Sequence, residues 1–201
     1  MADDMHLPPF PAPLRWEQPP ASWEHTADGR LTISAGPRTD LFISPQGEPP
    51  VLNAPRLLGP LRGDFQLAAR VTVDFQATFD AGTLLVWRDE RTWAKLCFEY
   101  SPQGQPMIVS VVTRGTSDDA HSAVVDGRSV WLRVSRIGPA FAFHASRDGS
   151  RWDLVRHFAI DAGDTPLVGF VAQSPTGAGC TASFEALRLS GERLADIRSG
   201  E

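Results

Sequence analysis

The sequence predicts an all-β chain folded as a two-sheet antiparallel β-sandwich. Three observations carry the prediction. Short runs of alternating or continuous apolar residues, roughly a dozen in all, recur between Gly, Pro, Asn and Asp turn signals. No segment repeats its apolar residues with the 3.6 period of an amphipathic helix. The length, 201 residues, suits one large β domain that buries a core without staples. Many strands and irregular turns favour an open sandwich over a closed barrel. Residues 1–13 read as a proline-rich lead-in, 14–190 as a single sandwich domain and 191–201 as a tail or a frayed helical turn.

Prolines crowd residues 1–22 (Pro8, Pro9, Pro11, Pro13, Pro19 and Pro20), which predicts an extended, irregular path across the surface pinned by Trp16 and Trp23. Arg30–Ala35 and Thr39–Ser44 are short strands. Asn53–Leu58 leads into a turn over Gly59–Gly63. Asp64–Phe75 is a period-2 strand with Phe65, Leu67, Ala69, Val71 and Val73 on one face. Met107–Arg114 is β-branched enough to be central, and Gly115–Ala120 is a polar loop. Val130–Ile137 and Ala140–Ser146 form a hairpin across Gly138-Pro139. Ser146–Trp152 is a further turn, with Asp148 capping it, Gly149 supplying positive φ and Trp152 packing beneath. Trp152–Ile160, Pro166–Gln173 and Thr181–Leu189 complete the sheets.

The stretch Asp80–Tyr100 anchors the rest. Gly82–Arg88 is an almost continuous apolar run, as in a strand buried on both faces. After the turn Asp89–Thr92 the chain alternates, so Trp93, Lys95, Cys97 and Glu99 share one face while Ala94, Leu96, Phe98 and Tyr100 share the other. Lys95 and Glu99 are thereby placed to reach each other or a shared polar ligand, with Asp40 and Asp80 framing a groove and Trp87 or Trp93 offering a stacking surface. Arg133, His144 and Arg156 are polar residues on neighbouring strands. Such a groove suits a carbohydrate or another small polar ligand. The bland alternative is an outer face laced with cross-strand ion pairs. As a surface pair, Lys95 and Glu99 are expected to be removable without loss of stability.

Other chemistries lack their motifs. A net charge of −5 without a Lys/Arg block argues against nucleic acid. The N-terminus has no apolar signal-like core and no run spans a bilayer, so a cytoplasmic protein off the membrane is expected. Cys97 and Cys180 read as two buried free thiols. There is no nucleophile elbow, and Glu99 has no acidic partner along its strand for glycosidase chemistry. The five histidines show no metal spacing and no cofactor is expected. His121 beside Asp118 and Asp119 would favour Ca²⁺ if any cation bound. An exposed sheet edge that pairs into a homodimer or onto another protein is the alternative function.

Several short stretches, taken in order, resemble a known family. They are Thr39-Asp40-Leu41-Phe42, Asp64-Phe65, Phe79–Val86, Trp93–Glu99, Val111-Val112-Thr113, Ser117-Asp118, Ser146–Trp152 and Gln173-Ser174-Pro175. Together they resemble the DUF1349 family over about residues 14–190. The resemblance implies a concanavalin A-like jelly roll and a proposed lectin-like or regulatory role, the family having no established enzymatic activity. It carries the family's recurrent polar positions onto Asp40, Asp80, Lys95, Glu99, Thr113, Ser117, Asp118 and Arg156. One departure is Asp119, where the family pattern often has tryptophan.

Overall fold

Strand pairing and burial follow from alternation in the sequence. The computed structural model describes residues 4–201, and all regular elements among them are strands. The first are β1 (Arg15–Gln18), β2 (Ser22–His25), β3 (Leu31–Ala35), β4 (Leu41–Phe42), β5 (Val51–Leu52) and β6 (Arg56–Pro60). The long central strands are β7 (Phe65–Asp74), β8 (Ala81–Asp89), β9 (Thr92–Tyr100), β10 (Pro106–Arg114) and β11 (Thr116–Val124). The last are β12 (Ser129–Ile137), β13 (Ala140–Ser146), β14 (Asp153–Ala159), β15 (Leu167–Gln173) and β16 (Cys180–Ser190).

Two antiparallel sheets of seven strands each make the sandwich. One runs β1-β6-β15-β8-β9-β10-β11 and the other β14-β13-β12-β7-β16-β3-β2; β4 and β5 form a separate ribbon. Among the described residues no helix is long and apolar enough to cross a membrane. The main core lies between the sheets. Phe98, Phe170, Phe184, Phe141 and Phe143 fill it, all essentially inaccessible, with Phe170 and Phe184 centroids 4.9 Å apart.

Several sequence expectations change. Gly115–Ala120 is not a loop but the start of β11, the edge strand of the first sheet. Its side chains are almost all exposed, so it lacks the apolar alternation that marks a strand. Residues 53–63 do not turn at Gly59, because β6 runs through it. The lead-in is also more regular than its prolines suggest: β1 and β2 join the two sheets at their edges, where proline's missing N–H is tolerated. Leu7 and Leu14 reach the core, and Phe10 meets Phe170 edge-on at 5.8 Å. Residues 191–201 form no helix. They lie on the outer face of the second sheet, burying Leu194, while Arg133 donates to the Gly200 carbonyl at 2.7 Å and His144 bonds the Ile197 carbonyl at 2.7 Å.

At the Ser146–Trp152 turn, Asp148 accepts from the Ser150 and Arg151 amides as expected. Trp152, however, stacks on Arg133 at 4.2 Å. Trp131 sits beneath the turn instead, so close to Gly149 that an added Cβ would lie 2.6 Å from its ring. Gly149 also has φ +75°, so only glycine fits there on both counts.

Each sheet has its outer face covered by one irregular segment. On the first sheet the cover is a strap, residues 39–54, carrying the β4–β5 ribbon. Beneath it Leu41, Ile43 and Ala54 pack on Leu58, Leu85, Trp87, Trp93 and Val111 in a second, smaller core. This explains why β8 is apolar on both faces.

Candidate functional site

The strap stops short of one end of the sheet, and there the covered face opens into a cavity of about 200 Å³. β9 supplies Lys95 and Glu99, β15 supplies Gln173, and the strap supplies Asp40 and Phe42. Phe79 and Pro175 close it from flanking loops, Val109 and Val111 of β10 form its floor, and Asp119 and His121 of β11 stand on the rim. Register produces this grouping. Val111 pairs with both Lys95 and Asp119, and Val109 with both Cys97 and His121, so the alternation of β9 is repeated across three strands.

Lys95 is only 2% exposed. Its Nζ donates to Gln173 Oε1 at 2.8 Å and to Asp40 Oδ1 at 3.4 Å, and it lies 5.9 Å from the Trp93 ring. Burial works to lower the ammonium's pKa, but Asp40, Cys97 and Glu99 outweigh it and the net shift is upward. Lys95 is therefore a buried cation paired with Asp40 rather than with Glu99. The expected surface placement of the pair does not hold, because sheet and strap together enclose both residues.

Glu99 is the unusual member. It is 7% exposed, and among the described residues it receives neither a hydrogen bond nor an ion pair; Lys95 is turned to Asp40 and Gln173 instead. Burial is the main cause pushing its carboxyl up to about 7. Lys95 opposes the shift, and the negative charges of Asp40 and Asp119 add to it. A carboxyl so placed has spare acceptor capacity facing a cavity.

The other residues singled out in the sequence lie outside the cavity. Asp80 is wholly buried and accepts from the Gln76 and Ala77 amides, each at 2.8 Å, and from Ser174 Oγ at 2.6 Å. Ser174 in turn bridges to Thr39, its amide bonding the Thr39 carbonyl at 3.1 Å. Asp80 thus fixes the two backbone segments that carry Gln173 and Asp40. Trp87 and Trp93 stack on each other under the strap, 6.5 Å apart, with Arg56 over Trp87 at 4.6 Å. They offer no open ring face at the cavity.

Thr113 and Ser117 share a hydrogen bond of 2.9 Å, and Ser117 Oγ receives the Ile43 amide at 3.0 Å. This pair helps fasten the strap to β11, beside the backbone bond from the Ser117 amide to the Ile43 carbonyl at 2.8 Å. Ser117→Ala is expected to cost about 1–3 kcal/mol by orphaning the Ile43 amide, read as a lower denaturant midpoint; an unchanged midpoint would mean that the strap is held elsewhere. Asp118 and Arg156 pair at 3.0 Å across the edges of the two sheets.

Sequence reasoning did not place Phe42, Phe79 or Gln173 at the site, and it named Asp119 and His121 only as neighbours of a possible cation. The Phe79 backbone, at φ +70°, is strained for a non-glycine residue, a feature that concentrates at binding sites. Phe42, Phe79 and Gln173 lie within stretches that carry the family resemblance but have no chemical pattern of their own, while Asp119 and His121 alternate on what proved to be a strand. Cys97 and Cys180 are free and buried, and burial pushes both thiols up to about 12. Among the described residues no group of three His, Cys, Asp or Glu is placed to hold a metal ion.

The model of DUF1349, described as a protein of unknown function, matches residues 16–192. The chain belongs to the DUF1349 family. This DUF1349 chain is 32% identical over 138 residues to the Saccharomyces cerevisiae "Regulation of enolase protein 1", covering 66% of this chain and 69% of that protein. A solved structure of a functionally unknown S. cerevisiae protein superposes with a TM-score of 0.82 at 27% identity, over 89% of this chain and 96% of that one. The GH43 protein BlXynB from Bacillus licheniformis matches with a TM-score of 0.71 at 16% identity, over 89% of this chain but 37% of its own length. An alginate lyase from Klebsiella pneumoniae matches at 0.54 and 14%, over 85% and 84%. The last two likenesses concern fold alone, the concanavalin-like sandwich.

Proposed function

We propose that this DUF1349 chain is a non-enzymatic, lectin-like module that binds a carbohydrate or other small polyhydroxy metabolite in the cavity beside Lys95 and Glu99. The observation that carries the reading is Glu99, a largely buried carboxyl with no hydrogen-bond or ion-pair partner among the described residues, facing a half-open cavity with aromatic walls. Retaining such a group costs folding free energy, and proteins accept that cost chiefly at functional sites. The cavity's size, below the range of about 300–1,000 Å³ typical of drug-sized ligands, suits a single sugar-sized molecule rather than a chain. Lys95 keeps a third proton for a ligand hydroxyl beyond those given to Asp40 and Gln173. Phe42 and Phe79 take over the stacking role first assigned to Trp87 and Trp93. The yeast relative's name favours a regulatory use of such binding, in which a metabolite is sensed rather than converted. Two free thiols accord with a cytoplasmic setting.

A thermal-shift screen against monosaccharides, sugar acids and polyols tests the proposal. A ligand at 100 times its dissociation constant adds about 2.7 kcal/mol to stability, and the resulting shift should shrink in an Asp119→Ala/His121→Ala variant. Those two side chains are exposed on the rim, so the fold tolerates their loss. Silence across the panel would overturn the binding reading in favour of a protein-interaction module acting through the exposed edge of β11, including a homodimer. One observation favours a hydrolytic reading: a carboxyl near 7 shares its cavity with two further carboxylates, as general acids do. Turnover of aryl glycosides that disappears in Glu99→Gln would establish that alternative.

A further inference from the structure

The charge balance of the cavity points further, to the chemical class of the ligand. Every ionisable group facing Glu99 can be named: Lys95 and Cys97 on its own strand, Asp119 and His121 on β11, and Asp40 on the strap. β10 and β15 contribute only neutral side chains, Val109, Val111 and Gln173. The Lys95 charge is already answered by Asp40 and the Gln173 carbonyl. Glu99 and Asp119 are left as carboxyls without a cation, Glu99 keeping its proton up to about 7 for want of one, in a cavity whose remaining walls are largely apolar.

We propose that the ligand is a small polyhydroxy compound carrying a protonated amino group, an amino sugar in chemical class, whose ammonium is received by the Glu99 carboxylate. This rests on the reading of the cavity as a ligand site. A neutral sugar would bond to Glu99 without supplying the charge that lets it ionise, and a sugar acid would add a like charge that disfavours ionisation further. A bare metal ion lacks the third ligand it needs, since no such cluster exists among the described residues. An ammonium brings three donors and one compensating charge, forming the stronger, charge-assisted kind of hydrogen bond. The elevated carboxyl of Glu99 fits a site awaiting a cation, because burial and its acidic neighbours outweigh the one lysine nearby.

Calorimetric titration of the full chain with glucosamine, N-acetylglucosamine, glucose and glucuronate, at about pH 7 where such an amine is still mostly protonated and Glu99 readily gives up its proton, tests the assignment. Glucosamine should bind at least about tenfold tighter than glucose, and N-acetylation, which removes the charge, should erase the advantage. Glu99→Gln should abolish the preference for glucosamine over glucose, whatever it does to the glucose affinity itself. Glucose or glucuronate binding as tightly as glucosamine, or a preference that survives in Glu99→Gln, overturns the amine assignment but leaves the cavity a sugar site. Hits confined to compounds without an amine in the wider screen do the same. Absence of binding by all four sugars and by the whole screen overturns both readings.

Discussion

Glu99→Gln is expected to stabilise the folded chain by about 3 kcal/mol near pH 8 but by only about 1 kcal/mol near pH 5. The folded state holds the Glu99 proton up to about 7, whereas the ordinary value is 4.5. Between those values the native state binds more protons than the unfolded chain, so native stability falls as pH rises through the interval. Below about 4.5 no cost is present, and above about 7 the whole cost, roughly 1.4 kcal/mol for each unit of displacement, is in force. Glutamine carries no charge to desolvate and removes this dependence. Urea denaturation of both proteins at the two pH values measures it. Equal midpoint differences at both pH values would mean that Glu99 is better solvated or paired than its surroundings indicate. A ligand that supplies a cation should reverse the sign, stabilising the native chain more than the variant.

Asp80→Ala is expected to cost on the order of 4 kcal/mol. The carboxylate is inaccessible to solvent and satisfies three donors at once: the Gln76 and Ala77 amides and the Ser174 hydroxyl. Truncation leaves all three without their acceptor at a site too enclosed for water to replace it freely, and each orphan costs about 1–3 kcal/mol. Asp80→Asn keeps one acceptor oxygen and should lose roughly half as much. Both variants should also weaken ligand binding, because Ser174 follows Gln173 directly and is bridged to Thr39, next to Asp40. A loss under about 1 kcal/mol for Asp80→Ala would show that the 76–80 turn closes without its carboxylate. Asp80, singled out in the sequence as framing a groove, frames it from behind, by holding the chain segments that bear the contacting residues.

The sandwich was legible from the sequence because strand alternation is a local property. The faces of β7 and β9 follow from period-2 patterning, which fixes register wherever one side must be buried. Turn chemistry was equally local, as Asp148 and Gly149 show. The prominence of Lys95 and Glu99 was also legible, since two charged residues interrupt a strand that otherwise reads as core.

What the sequence left open was decided by segments that pack from far along the chain. The strap of residues 39–54 turned an outward-looking face into a second core. It buried Trp87 and Trp93, which by pattern alone looked available for a ligand, and it brought Asp40 to Lys95 across an interval of 55 residues. β11 is a strand because β10 offers it a hydrogen-bonding edge; its exposed, polar residues carry no such instruction. The tail lies on the second sheet because Arg133 and His144, buried there, need the carbonyls of Gly200 and Ile197. Which charges are paired and which stand alone depends on these long-range contacts. The sequence therefore determined the sheets and named Glu99, while only the tertiary structure left that carboxyl buried, unpartnered and facing a cavity.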